Sequence, residues 1–216
     1  MAAAPPGPPP SDAKAAMRPT RGHGRLEGAI AHGRMAMVLR HLRPSLHDGE
    51  VLDIGCGSYP LFLISSPFRR KVGVDQVDPI WLSQGAPPPA GVEIRKLSLS
   101  GRISLPFPDE SFGCVTSLAC LEHLEPASLP SLAAEIRRVL KPSGQALLTT
   151  PHACADKPLR LLARIGMVSK EEIEEHKSLF LHRHIFDLLR GAGFAPEKIA
   201  IRGFQLGFNI LALAEK

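Results

Sequence analysis

The chain of 216 residues, 44% hydrophobic and 22% charged, is long enough for one well-cored domain and has the balance of a soluble globular protein. Its formal charge of +5 gathers near the start, where Lys14, Arg18, Arg21, Arg25, Arg34, Arg40 and Arg43 outnumber Asp12, Glu27, Asp48 and Glu50; with one Trp and one Tyr for base stacking, no clear nucleic-acid surface is expected. No apolar run approaches the about 20 residues of a membrane span, and Cys56, Cys114, Cys120 and Cys154 form no Cys-x-x-Cys pair or zinc spacing, so they read as reduced thiols of a cytoplasmic protein.

Residues 1–21, rich in Ala and Pro without apolar period, read as a disordered tail in preference to an organelle transit peptide, since the prolines oppose an amphipathic helix. A flanking helix is expected over 22–47, with Leu26, Ile30, Gly33, Met37 and His41 on one stripe and Pro44 marking its end. From there strand and helix patterns alternate. "EVLDIG" and "KVGVD" read as strands around a short helical "YPLFLIS", and "VEIRKLSL" and "GCVTSLA" as the third and fourth strands. "PASLPSLAAEIRRVLKPSG" reads as a helix with Leu129, Leu132, Ala133, Ile136, Val139 and Leu140 on one face, closed by Pro142 and Gly144. "QALLTTP", the helical "HIFDLLRGAGF", "KIAIRG" and "FNILALAE" complete the series, the last two strands close enough to pair antiparallel at a sheet edge. Residues 152–178 interrupt the rhythm, with helical pieces at Leu159–Ile165 and Lys170–Glu175, after a strand's carboxyl end where open α/β sheets bind ligands. The alternation predicts an α/β fold, a mostly parallel seven-stranded sheet with helices on both faces and an antiparallel strand at the carboxyl-terminal edge.

The stretch "VLDIGCGSYP", residues 51–60, carries the chemistry. Glycines at 55 and 57 let backbone approach a ligand, but a dinucleotide fingerprint needs a third glycine at position 60, where Pro60 stands. Asp53 inside the strand would repel a pyrophosphate and attract an ammonium group; Asp75 at the tip of the next strand suits ribose hydroxyls. Pro60 suits the first turn of a helix, with Ser58 or Tyr59 as its cap.

With "VGVD", "LPFPDESF", "LEHL", "EIRRVLKPSG" and "HRHIFDLLRGAGF" following "VLDIGCG" in order, the chain resembles the class I S-adenosylmethionine-dependent methyltransferases of the type 11 small-molecule group, from about Val51 onward. The resemblance implies a Rossmann-like fold, with residues 22–216 as the methyltransferase domain and 152–178 as an acceptor-side insertion. It implies that Asp53, Gly55, Cys56 and Gly57 line the methionine end of S-adenosyl-L-methionine, with Asp53 near its amino group and Tyr59 packed beside the methionine tail. Asp75 would bind the ribose and Gln76 lie at the adenine edge; Ser98 and Leu99 stand nearest to where the family often has an acid for the adenine amino group. Ser117 and Leu118 would sit under the sulfonium; Gly113, where the family usually has Asp, is a structural departure.

His123, His152 and His176 are the candidate general bases, each against the bland alternative of a capping or packing role. His176, His182 and His184 cluster in sequence, but no carboxylate or cysteine completes a metal-ligand set, so no metal is expected. The expected function is methyl transfer to a small-molecule acceptor, with oxygen the preferred atom, by a monomer or homodimer. The alternatives are a cofactor-binding partner subunit without activity and, disfavoured by Asp53 and Pro60, a nicotinamide-dependent oxidoreductase.

Overall fold

The computed structural model describes residues 27–164, 167, 177–178 and 180–216. The tail expected over 1–21, the helical piece at 170–175 and His176 lie outside the described residues. Seven strands, β1 (Glu50–Ile54), β2 (Arg70–Asp75), β3 (Val92–Lys96), β4 (Phe112–Leu118), β5 (Leu140–Pro151), β6 (Ile199–Phe204) and β7 (Asn209–Glu215), form one sheet in the order β3-β2-β1-β4-β5-β7-β6. Strands β1 to β5 pair in parallel, while β7 runs antiparallel to both β5 and the outermost strand β6. The order reverses at β1, and the crevice between β1 and β4 is the switch point where open sheets of this kind take ligands.

The alternation of side chains across each strand divides the core into two layers. Leu52, Ile54, Val72, Val74, Val115, Ala146 and Leu148 face one side. There they meet Leu132, Ile136 and Val139 of helix α4 (Leu129–Val139), Ile185 and Leu189 of α6 (His182–Gly191), and the loop residues Leu99, Ile103, Leu105 and Phe107. Val51, Cys114, Leu147 and Leu211 face the other side. That layer is closed by Val38 of α1 (Glu27–His41) and Leu42 just after it, Phe62 and Leu63 of α2 (Leu61–Ser65) and Trp81 of α3 (Ile80–Ser83). Asp53 shares this second face, because it alternates with Leu52 and Ile54.

Several expectations shift locally. Helix α1 ends at His41 and a 3₁₀ turn, Pro44–Leu46, follows; the buried positions are Val38 within the helix and Leu42 just past its end, not the expected stripe. Leu140 is no longer helical: its extended backbone starts β5, so "LKPSG" belongs to the strand and not to a helix stop. A register shift between Phe112 and Cys114 absorbs this early start, and Gly144 allows it, since a Cβ there would lie 2.8 Å from the Lys141 carbonyl oxygen. Strand β3 ends at Lys96, and the Leu97 N–H donates to the Asp75 carbonyl at 2.8 Å as the last rung, leaving Ser98 and Leu99 in the loop beyond. The segment after β5 opens with a 3₁₀ turn, Ala153–Ala155, and helix α5 (Asp156–Arg164). Among the described residues no helix is long and apolar enough to cross a membrane.

Candidate cofactor site

Asp53 lies one residue before the end of β1, paired between Gly73 of β2 and Thr116 of β4. It is 3% exposed, and its Oδ1 accepts a 2.7 Å hydrogen bond from the Thr116 hydroxyl. Burial raises its carboxyl from 3.8 to about 7 against the lowering effect of the Thr116 bond, and the nearby Asp75 charge adds to the rise. A buried, shifted acid at a switch point makes Asp53 a functional-site candidate.

The turn after Asp53 depends on two left-handed glycines, Gly55 at φ 75° and Gly57 at φ 71°. At position 55 space is also lacking: a Cβ there would lie 2.3 Å from Cys120 Sγ. At position 57 a Cβ would meet nothing within 4 Å, so only the backbone conformation demands glycine. The amides of this turn point into the protein. The Gly55 and Cys56 N–H groups donate to the Val74 carbonyl at 2.9 and 3.4 Å, and the Gly57 N–H donates to Asp75 Oδ2 at 2.8 Å. The sequence-based expectation that glycine would bring those amides to a ligand is thereby corrected. What glycine permits is a hairpin tight enough to bond back onto β2.

Asp75, 5% exposed at the end of β2, braces that turn from both oxygens, since Oδ1 also accepts the Val77 N–H at 3.0 Å. Pro60 is the cap residue of α2 and not its first turn, and neither Ser58 nor Tyr59 caps the helix. At φ −76° and ψ 71°, with the Leu61 N–H donating to the Tyr59 carbonyl at 2.8 Å, Pro60 centres an inverse γ-turn.

These elements enclose an open cleft of about 440 Å³, counting the space continuous with solvent. Asp53, Gly55, Cys56, Tyr59 and Leu118 line it together with Leu61 and Phe62 of α2. Of the other sequence candidates, Ser117 is buried beside Cys120, Gln76 and Ser98 are exposed, and the Leu99 side chain packs in the main core away from the cleft. Burial pushes the thiols of Cys56, Cys114 and Cys120 well above their usual range, so none is a thiolate nucleophile.

Sequence reasoning missed the third wall. Ala31, Arg34 and Met35 of α1, spaced as neighbours on one helical face, also line the cleft. The helix is held by the turn between β6 and β7: Gln205 Nε2 donates to the Ile30 carbonyl at 3.1 Å while Asn209 Nδ2 donates to Gln205 Oε1 at 2.8 Å. Gln205 and Leu206 adopt left-handed backbone conformations, and a Cβ on Gly33 would lie 2.6 Å from Gln205 Nε2. The glycine in α1 was the available signal, because a helix interior tolerates one mainly where something approaches closely.

Among the candidate bases, His152 caps the 3₁₀ turn after β5, its Nδ1 accepting the Cys154 N–H at 3.1 Å. Burial and the neighbouring His182, whose ring centroid is 5.0 Å away, lower its pKa. A neutral ring with Nδ1 as acceptor carries its proton on Nε2, so His152 in this state offers a donor and no free basic nitrogen. His123, half-buried, ends the 3₁₀ turn Leu121–His123 just past β4. Glu122 beside it is buried and accepts from the Thr150 hydroxyl at 3.0 Å, while its carbonyl accepts the Lys177 N–H at 2.7 Å. Among the described residues no three His, Cys, Asp or Glu side chains gather as a metal site.

The family model of a methyltransferase domain matches residues 25–199. A demethylmenaquinone methyltransferase of Symbiobacterium thermophilum is 32% identical over 133 residues, 58% of this chain and 49% of the relative. The uncharacterized methyltransferase YodH of Bacillus subtilis is 32% identical over 163 residues, 72% of this chain and 67% of the relative. The chain spans about half the length of several curated relatives it matches, 49%, 44% and 48%. In fold it is similar to an S-adenosylmethionine-dependent methyltransferase of Mesorhizobium loti, with a TM-score of 0.60 at 18% identity over 85% of this chain and 98% of the other. It is also similar to the structure of a complex between the Haloferax volcanii Trm112 methyltransferase activator and a putative methyltransferase, at 0.61, 17%, 85% and 89%. The glycine turn between two strand-tip acids and the match over most of the chain agree: the protein belongs to the methyltransferase-domain family, in the class I S-adenosylmethionine-dependent fold.

Proposed function

We propose that the chain transfers a methyl group from S-adenosyl-L-methionine to a small-molecule acceptor, with oxygen the preferred accepting atom. The observation that carries this reading is the pair of buried acids, Asp53 and Asp75, at the tips of adjacent strands around the Gly55–Gly57 turn. The donor set suits the cofactor. Asp53 stands 3% exposed at a cleft wall and lacks a strong cationic partner among the causes of its shift, which an α-ammonium group supplies. Asp75, at the tip of the neighbouring strand, presents a carboxylate of the kind that binds two vicinal hydroxyls. When bound, S-adenosylmethionine supplies a methyl group already activated on sulfur. The chain's own contribution is to orient: Leu118 and Tyr59 wall the cleft, α1 covers it, and alignment of reacting atoms within about 3–3.5 Å is the main rate factor.

Leu161, Leu206 and Phe208 expose apolar side chains on segments following or facing the carboxyl end of β5, which supports an acceptor with an apolar part. A relative named for methylating demethylmenaquinone is consistent with that class. His123, by its place past β4, is the candidate base if the acceptor must lose a proton, and His152 is a hydrogen-bond donor to it. The test is calorimetric titration with S-adenosylmethionine and with NAD, followed by turnover over a panel of phenolic, sugar and quinol acceptors. Binding of the first ligand alone, with production of S-adenosylhomocysteine, is the expected result. Absence of S-adenosylmethionine binding would overturn the reading, and binding without turnover across the panel would favour a partner subunit.

A further inference from the structure

We propose that the β6–β7 hairpin tip, with helices α5 and α6 beside it, docks on an anionic lipid bilayer, Leu206 and Phe208 inserting between headgroups and Arg183 meeting their charge. The docking itself needs no cofactor. Joined to the acceptor reading above, on which this step rests, it makes the lipid layer the source of an acceptor with an apolar part. Backbone and ring contacts bring the three elements to one place. The Phe208 carbonyl accepts the His152 N–H at 2.9 Å, and Cys154 Sγ lies 3.7 Å from the Gly207 carbonyl oxygen, so the tip touches the 3₁₀ turn leading into α5. The His152 and His182 rings are 5.0 Å apart, and a Cβ on Gly203 would lie 3.7 Å from His182 Nε2, which sets the first turn of α6 beside the same tip.

The tip holds a leucine in a backbone conformation that leucine rarely adopts. Gln205 at φ 49° and Leu206 at φ 61° are the central pair of a turn closed by the Gly207 N–H on the Phe204 carbonyl at 3.1 Å, positions usually taken by Asn and Gly. Gln205 is accounted for by its bond to the Ile30 carbonyl. Leu206 packs on nothing comparable: it is 95% exposed, with Phe208 also exposed two residues on and Leu161 62% exposed on α5. A bulky residue kept left-handed and projecting outward is a mark of function at that point. Basic residues accompany it. The sequence of α5, DKPLRLLAR, carries three of them against one acid, and His182, Arg183 and His184 stand exposed on the first turn of α6. The acids of the two helices pair within them, Asp156 with Arg160 at 3.0 Å and Asp187 with Arg190 at 3.5 Å. Single apolar side chains projecting among basic ones suit a bilayer, where an apolar layer lies beneath a negative surface. A protein partner requires instead a continuous covered area, about 800 Å² on each side.

The experiment is flotation of the full chain with vesicles of phosphatidylcholine alone and of equimolar phosphatidylcholine and phosphatidylglycerol, for wild type, Leu206→Gly and Arg183→Glu. Wild type is expected to bind the anionic vesicles about 10-fold or more above the neutral ones. Leu206→Gly should bind the anionic vesicles about 10-fold more weakly. Its Tm should be unchanged or higher, because glycine takes the left-handed backbone without strain, so the loss is not one of folding. Arg183→Glu should lose about 5- to 30-fold, an effect that shrinks in high salt, while its Tm holds because an acid suits the first turn of a helix. A wild-type chain that floats with neither vesicle would overturn the proposal. Anionic binding that survives both substitutions would belong to the basic amino-terminal region and would overturn it too. So would a wild-type chain that sediments as a dimer, turns monomeric on Leu206→Gly and binds no vesicle, since the hairpin would then be a contact between copies. Each of these outcomes leaves the cofactor reading to the calorimetric titration with S-adenosylmethionine, so the two fail separately.

Discussion

Replacing Asp53 by Asn removes one buried charge and keeps the shape, and the consequence can be followed by pH. The carboxyl rises from 3.8 to about 7 in the folded chain, chiefly by burial. At about 1.4 kcal/mol per tenfold change in proton affinity, that rise corresponds to roughly 4 kcal/mol. The sign follows from proton counting. Between about pH 4 and pH 7 the folded chain holds a proton on Asp53 that the unfolded chain has released, so stability falls as pH rises through that window. Below it both states are protonated and the side chain contributes no difference. Asn stays neutral throughout and still presents an oxygen to the Thr116 hydroxyl. The variant without cofactor should therefore match wild type near pH 4 and exceed it above pH 7 by up to about 4 kcal/mol, on the order of 10 °C in Tm for a domain of this size. The same substitution should weaken S-adenosylmethionine binding, and wild-type affinity should rise about tenfold per pH unit as Asp53 ionises below pH 7. The measurement is thermal unfolding of both chains between pH 4 and 8. Parallel Tm profiles would refute the claim that burial of Asp53 holds its proton.

Gly55→Ala should cost about 3 kcal/mol or more, from the left-handed backbone and the collision with Cys120 Sγ together. Cys120→Ala in the same chain removes the Sγ contact but keeps a Cβ only 2.6 Å away, so it should recover part of the steric share and no more, and denaturant unfolding of the three variants measures that part. Gln205→Ala releases α1 at Ile30, so cofactor dissociation measured by stopped flow should quicken about 3- to 10-fold with little change in Tm. An unchanged rate would mean that other contacts hold the helix. Arg138→Ala should lower stability by about 2–4 kcal/mol, seen as an earlier unfolding midpoint in urea, while leaving cofactor affinity within about twofold.

That last variant bears on what the recurring motifs are for. "LPFPDESF" and "EIRRVLKPSG" carry no cleft residue. Arg138 donates to the Leu105 and Phe107 carbonyls at 3.0 and 2.8 Å and pairs with Asp109 and Glu135 at 2.7 Å, and Glu135 in turn accepts the Leu105 N–H at 2.6 Å. These stretches fasten the loop before β4 onto α4, and so hold Phe107 and Leu105 in the core beneath the sheet. The order of strands and helices was legible because each element writes its own period into the sequence. Boundaries slipped where backbone bonding overrode that period, as at Leu140, whose apolar side chain suits the helix face while its backbone has already joined β5.

The site was legible to the extent that it is local. Asp53, Gly55 and Gly57 lie within one turn, and Asp75 caps the next parallel strand, so their spacing along the chain mirrors their spacing in space. Arg34 and Gln205 show no such correspondence. The first is one of several arginines in a basic amino-terminal region, where a solvated charge is the ordinary reading, and its place in the cleft follows only from how α1 lies on the sheet. That lie is set by a residue near the far end of the chain, through a hydrogen bond joining Ile30 to Gln205. A single sequence carries no period that links those positions. The same geometry explains why the fold says more about the cofactor than about the acceptor. The cofactor wall is built from strand tips whose register is fixed by backbone pairing. The acceptor side as proposed lies along the segment after β5 and the β6–β7 turn, where Leu161, Leu206 and Phe208 stand exposed and where side-chain choice is free of the sheet's constraint.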